Sequence, residues 1–188
     1  MDKPRLDQQR VGPHPSWEYK GVHNHPKLFE MNSLVGLDDL CKKYINKETV
    51  VLELGSHQGV STSLFCYYAK YVVAVDTWYS PGIQKLESKA NNFLFRQGDI
   101  SVILPIIKSK PNIRFDFIYI DADHQYTNVR RDIKLSMPLL KEGGIIGGHD
   151  FCDYLNPGVR KAVRERWSDN EIEVFKDTSW VIKGEKAK

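Results

Sequence analysis

From residue 50 onward, short apolar runs alternate with segments whose apolar residues recur every three or four positions. TVVLEL, YVVAVD, NFLFRQGD, FDFIYIDAD and GIIGGHD have the length and β-branched or aromatic content of strands. STSLFCYYAK, PGIQKLESKA and ISVILPIIKS, the last with Pro105 inside it, fall between them as helices. A longer helix is predicted after FDFIYIDAD, with Val129, Ile133, Met137 and Leu140 on one face. KEGG then offers the glycine expected just past a helix end. PGVRKAVRERW reads as a further helix with Pro157 near its start. Upstream, Leu34, Leu37, Leu40, Cys41, Tyr44 and Ile45 share a helical face, with Asn32 or Ser33 as N-cap. EIEVFKDT and SWVIKG lie close enough together to pair as a closing hairpin.

Strands alternating with helices imply an α/β fold. The expected architecture is a doubly wound, mostly parallel seven-stranded sheet with helices on both faces and a C-terminal antiparallel hairpin. The uniformly apolar strands fit burial on both sides. No linker interrupts residues 33 to 188, which are expected to form one domain. Residues 1 to 32 break the pattern. They are polar, with prolines at 4, 13, 15 and 26 and histidines at 14, 23 and 25. They read as an arm, either a tail or a cap over a substrate site.

Composition changes this picture little. The net charge of +3 is too small to argue for nucleic acid, and the basic RKAVRER stretch reads as a solvated helix face. No apolar run approaches the roughly 20 residues of a membrane span. MDKPRLDQQR lacks the apolar core of a secretory signal. Cys41, Cys66 and Cys152 are odd in number and form no CxxC pair, which excludes a zinc knuckle or disulfide framework. A cytoplasmic protein that engages neither membrane nor nucleic acid is expected, with homo-oligomerisation left open.

Candidate chemistry gathers at strand ends. VVLELGSHQGVS is a buried strand running into a glycine turn and a helix start, where a nucleotide sits in this kind of sheet. The dinucleotide pattern G-x-G-x-x-G fails, since His57 and Val60, or Leu54 and Ser56 in the other frame, stand where glycines are needed. No Gly-Lys-Ser/Thr follows, so a phosphate-binding P-loop is excluded too. Glu53, Gly55 and Gly59 remain. A carboxylate at Glu53 repels a pyrophosphate and welcomes a cationic or amine-bearing ligand. Asp76 ends the second strand, where an acid accepts ribose hydroxyls. Asp99 ends the third and is placed to take an amine such as adenine N6. Together they describe an adenosine ligand with an amino group and no phosphates.

These residues resemble a class I S-adenosylmethionine-dependent methyltransferase. The group in question is the methyltransferase-24, catechol and macrocin O-methyltransferase-like one. Glu53-Leu54-Gly55-Ser56-His57-Gln58-Gly59 is similar to the family's first motif, which holds the methionine part; Asp76 to its ribose acid; Asp99 with Ile100 to its adenine position. The likeness runs from residue 33 to 183. It implies S-adenosyl-L-methionine as cofactor, with Ser56, His57, Ser61, Thr77, Trp78 and Asp121 completing the binding set.

The fourth and fifth strands end in IDADHQY and GGHDF, which place Asp121, Asp123, His124, His149 and Asp150 on the same rim. One reading is a Mg²⁺ or Mn²⁺ site made by Asp121, His149 and Asp150, activating an acceptor hydroxyl. The resemblance supports it, although the family has Asp-Asn or Asp-Asp where this chain has His149-Asp150. The other reading makes His124, or His149, a general base titrating near neutrality. Asp123 reads more simply as an N-cap. Trp78 and Tyr79 are candidates to cover the adenine or the sulfonium. The expected activity is O-methylation of a small hydroxylated molecule or sugar. N-methylation and a non-catalytic cofactor-binding module are the rivals.

Overall fold

The computed structural model describes residues 34–182. Asn32 and Ser33, the expected caps, and the whole polar arm lie outside the described residues. The first helix, α1 (Val35–Tyr44), starts from Leu34, which makes no side-chain cap. Five strand-helix units follow: β1 (Val50–Leu54), α2 (Val60–Tyr68), β2 (Tyr71–Asp76), α3 (Pro81–Glu87), β3 (Phe93–Gln97), α4 (Ile100–Lys108), β4 (Phe115–Ile120), α5 (Tyr126–Ser136), β5 (Leu140–Gly148) and α6 (Pro157–Arg164). The hairpin β6 (Ile172–Val174) and β7 (Trp180–Ile182) closes the domain. The longest described helix has 11 residues, and none is long and apolar enough to cross a membrane.

The seven strands lie in the order β3-β2-β1-β4-β5-β7-β6. The first five are parallel; β7 runs antiparallel to both β5 and β6. Strand order reverses between β1 and β4, so their carboxyl ends open the crevice in which an open α/β sheet holds its ligand. Leu52, Ile118, Leu104 and Ile133 pack on one face of the sheet, beneath α4, α5 and α6. Val51, Leu64, Phe65, Phe117 and Tyr119 pack on the other, beneath α1, α2 and α3. Each fully buried side chain of this size contributes about 1.5–3 kcal/mol. The two layers therefore carry the fold and leave the strand ends free for polar groups.

One expected boundary is corrected. KEGG does not end the long helix. Met137–Leu139 forms a single 3₁₀ turn, and Leu140 opens β5, so KEGG lies inside the strand. Pro138 cannot extend the α-helical ladder. The register jumps from Phe115↔Leu140 to Phe117↔Ile145, and Gly143 takes φ 73° in the irregularity. The glycine therefore serves a bulge and not a helix cap.

Candidate active site

Period-two alternation along β1 puts Glu53 on the same face as Val51, directly under α2. The side chain is fully buried. Ser61 Oγ donates to Oε1 and Thr62 Oγ1 to Oε2, both at 2.5 Å. The first turn of α2 thus supplies the donors that satisfy the carboxyl, where a cationic or amine-bearing ligand was the expected partner. Burial pushes its pKa up to about 8, against the pull of those two hydroxyls. The folded chain therefore holds a proton that the unfolded chain, near 4.5, has released. Stability should be greatest below the unfolded value and decline as pH rises through about 8. Glu53→Gln should remove a pH-dependent loss on the order of 2–4 kcal/mol between about pH 5 and 8. Parallel melting profiles for the two proteins across that range would refute the buried proton.

At the end of β2, Asp76 gathers the glycine turn. Its Oδ2 accepts from the N–H groups of Ser56 at 2.9 Å and His57 at 2.8 Å; its Oδ1 accepts from Trp78 N–H at 2.9 Å. Gly55 at φ 87°, His57 at φ 44° and Gly59 at φ 77° give the turn its left-handed course. Asp99 caps α4, with Oδ1 accepting from Ser101 N–H at 2.7 Å and from Ser101 Oγ at 2.6 Å. These bonds hold its carboxyl below the usual range.

Two adjoining cavities open along these strand ends. The inner one, about 590 Å³, is lined by Asp76, Thr77, Asp99, Ile100, Arg131 and Asp132, among others. The outer one, about 540 Å³, runs past Ser56 and Ser61 to His149, Asp150 and Leu155. Gly55, His57, Asp121, Ala122 and His124 line both and form their junction. A cavity of about 690 Å³ lies elsewhere, between α5 and α6, but none of the strand-end carboxylates lines it. Size does not decide here; the chemistry belongs to the smaller pair. Trp78 is 44% exposed, with its ring centroid 5.2 Å from that of His57, outside the lining of both cavities. Tyr79 stacks on Phe95 and donates to Glu87, an ordinary packing role.

At the junction the structure draws together Asp121, His124 and Asp150. One ligand atom from each lies within 4.8 Å of the others. His124 Nε2 is 2.9 Å from Asp150 Oδ2 and 3.8 Å from Asp121 Oδ1. His149 stands beside this group, its Nδ1 3.4 Å from Asp150 Oδ1 and its carbonyl accepting from Trp180 Nε1 at 3.2 Å. Asp121 and Asp150 push His124 up to about 10. The shorter contact, to Asp150, is the one with hydrogen-bond length. Burial works against a charged His149, but Asp150, Asp121 and Asp177 outweigh it and bring the ring to about 9. Burial opposes the Asp150 anion as well, and the two histidines override it, so the carboxyl sits well below its usual range. The expectation that His124 titrates near neutrality is thereby corrected. In this arrangement both rings are cationic at neutral pH, and neither is a free base. Asp150 itself adopts φ 62°, a left-handed conformation that Asp tolerates better than most residues.

Asp123 accepts from Gln125 N–H at 2.7 Å and from Asn128 Nδ2 at 2.9 Å, so it shapes the turn ahead of α5, but the expected N-cap is corrected: Gln125 holds that position and the helix has no side-chain cap. Two lining acids escaped the sequence reading. Asp177 is buried in the outer cavity, accepting from the N–H groups of Leu37 at 2.6 Å and Ser179 at 3.0 Å. Asp132 is buried on α5 against the inner one. Its signal was legible: an acid between Val129 and Ile133 on an otherwise apolar stripe.

Residues 52–151 match a family described as a methyltransferase domain. An uncharacterised protein of Acanthamoeba polyphaga mimivirus is 26% identical over 177 residues, covering 87% of this chain and 79% of that protein. A Bacillus cereus O-methyltransferase in complex with S-adenosylhomocysteine superposes with a TM-score of 0.57 at 19% identity, over 92% of this chain and 84% of that one. CalS11, a TDP-rhamnose 3'-O-methyltransferase of calicheamicin biosynthesis, superposes with a TM-score of 0.61 at 14% identity, over 96% and 90%. Against other, longer chains of the same fold this chain spans about half of their length (47%).

Proposed function

This chain belongs to the methyltransferase-domain family, and from that premise we propose that it transfers a methyl group from S-adenosyl-L-methionine to a hydroxyl of a small molecule, a sugar or polyol-like one. The observation that carries this reading is the pair of joined cavities. One is walled by Asp76 and Asp99, which suit ribose hydroxyls and an amine, and the junction is lined by Asp121 and His124. The sulfonium would lie at that junction with the acceptor beyond it, against His149, Asp150 and Leu155. Transfer is an in-line displacement in which the acceptor oxygen forms the new bond to carbon as the carbon–sulfur bond breaks. The protein's part is mainly to align the two groups and receive the hydroxyl proton. The TDP-rhamnose 3'-O-methyltransferase and the Bacillus cereus O-methyltransferase of the same fold support a hydroxyl acceptor over an amine. Leu34, at the start of the described chain, lines the outer cavity. The three unpaired cysteines support a cytoplasmic setting.

Two carboxylates and an imidazole within 4.8 Å fit a small divalent cation. Asp121, Asp150 and His124 would hold it, with His149 in reserve. Bound there, such a cation would lower the pKa of an acceptor hydroxyl. His124 gives up its proton to serve as a ligand, so cation affinity should rise with pH.

Calorimetry with S-adenosylhomocysteine, followed by mass spectrometry of a panel of catechols and nucleotide sugars, tests the proposal. Binding together with a one-methyl mass gain on a hydroxyl is expected. Product on nitrogen selects the N-methyl alternative, and binding without product selects a non-catalytic module. In excess EDTA, turnover should fall at least about tenfold and return with Mn²⁺ or Mg²⁺. Full turnover without metal would leave the rim carboxylates as the proton acceptors.

A further inference from the structure

The cavity between α5 and α6, about 690 Å³, lies apart from the strand ends and takes no part in the reaction proposed above. Thr127, Arg130, Arg131 and Lys134 line it at the spacing that puts residues along one side of a helix, here α5. Glu165 and Arg166 face them from the end of α6 and the turn beyond it. Buried Ile133 and Ala162 give the groove an apolar floor. The RKAVRER stretch reads in sequence as a solvated helix face; the fold turns its end toward a second basic side, on α5.

Four cations and one acid line this groove. Glu165 meets Arg130 at 3.2 Å and also accepts from Tyr126 Oη at 2.9 Å. That ion pair is exposed and therefore weak, so Arg130 can turn to a stronger anion. Arg131 is held by Asp132 at 3.0 Å. Lys134 and Arg166 have no acid partner among the described residues; Arg166 lies over the Trp167 ring. Two positive charges are thus left over in one concave site. The surplus does not continue along the surface. Arg160 pairs with Asp153, Arg164 pairs with Asp169 at 2.6 Å, and Lys161 covers the Tyr126 ring. A nucleic acid needs a continuous basic track, whereas a local surplus suits a compact anion. Ammonium and guanidinium groups converging on one small cavity match the several oxygens of a phosphate ester. The cavity also has the size of a small-molecule site.

We propose that this groove binds a compact diphosphate group, free or carried by a nucleotide, between Lys134 and Arg166, with Arg130 as a third donor. The site is separate from the cofactor crevice and does not rest on the methyl-transfer reading.

Calorimetry on the full chain with inorganic pyrophosphate and with ADP tests this. Pyrophosphate should bind with a Kd below about 1 mM. Tighter binding of ADP would assign the group to a nucleotide, and equal or weaker binding to the free anion. Lys134→Gln/Arg166→Gln should weaken pyrophosphate at least about tenfold, since each change removes a charge-assisted hydrogen bond. Both side chains are exposed, so the melting temperature should hold. Lys134→Gln alone should lose at least about threefold, and it decides if the double variant fails to fold. Lys85→Gln/Lys89→Gln removes the same charge on the other face of the sheet and should bind as wild type does. A Kd above about 1 mM, or equal losses in the two double variants, overturns the proposal. So does displacement of pyrophosphate by saturating S-adenosylhomocysteine, which would put the anion in the cofactor crevice. Single-stranded RNA that binds where pyrophosphate does not would give the groove to a polymer and overturn it too. If S-adenosylhomocysteine itself fails to bind, the methyl-transfer reading falls while the pyrophosphate result stands.

Discussion

Asp150→Asn should reduce methyl transfer at least about a hundredfold while leaving S-adenosylhomocysteine affinity within about threefold. Among the described residues Asp150 is the anion that contacts both imidazoles, 2.9 Å from His124 and 3.4 Å from His149. Removing its charge releases both rings toward their ordinary titration range and takes away an oxygen donor from the proposed cation site. Cofactor affinity should persist, because Asp76 and Asp99, the residues proposed to hold the ribose and base ends, line the other cavity. Asparagine is the informative replacement. It matches aspartate in shape and tolerates the φ of 62° equally well, so a loss of activity reports charge and not backbone strain. The pH profile of the residual activity should shift toward acid, since His124 no longer holds its proton to about 10. Turnover at the wild-type rate would remove Asp150 from the chemistry and turn attention to Asp121.

How much of this site the sequence disclosed depends on whether local pattern or long-range packing places each group. Asp76, Asp99, Asp121 and Asp150 end strands or directly follow them, and strand ends can be read from period and composition. Their convergence on one crevice follows from the parallel topology. Which histidine joins Asp121 and Asp150 was not legible. His124 and His149 sit on adjacent loops and both line the outer cavity, and only the folded loops bring His124 Nε2 to 2.9 Å from Asp150 while His149 Nδ1 stands at 3.4 Å. Glu53 was recognised as a strand-end acid, but its partners on α2 become visible only once the alternation of β1 is laid against the first turn of that helix. The misplaced KEGG segment has the same origin. A glycine in the left-handed region serves a helix end or a bulge equally well, and only the pairing of β5 with β4 distinguishes them. Asp177 was unreadable for a similar reason: its partner at Leu37 lies 140 residues away.

Gly55→Ala should abolish measurable S-adenosylhomocysteine binding and lower the melting temperature by about 10 °C, from a loss of about 3–5 kcal/mol. Two costs combine. The residue has φ 87°, which an L side chain resists by about 1–2 kcal/mol. The larger cost is steric, because an added Cβ would lie 2.0 Å from the carbonyl oxygen of Asp121. That oxygen belongs to backbone tied into the sheet, with Asp121 N–H donating to Leu54 O at 2.8 Å and Gly55 N–H to Val75 O at 2.9 Å. Relief must therefore displace either the glycine turn or the rim that carries Asp121, and both line the two cavities. Gly143→Ala separates the contributions. It has a similar φ of 73°, but a Cβ there meets no atom within 4 Å, so it should show the backbone cost alone and bind the cofactor normally. If Gly55→Ala matches Gly143→Ala in stability and keeps its affinity, the close approach of β1 and β4 is not what forms the cofactor crevice. The placement of the sulfonium at their junction would then be wrong, since every group assigned to transfer is positioned by that approach.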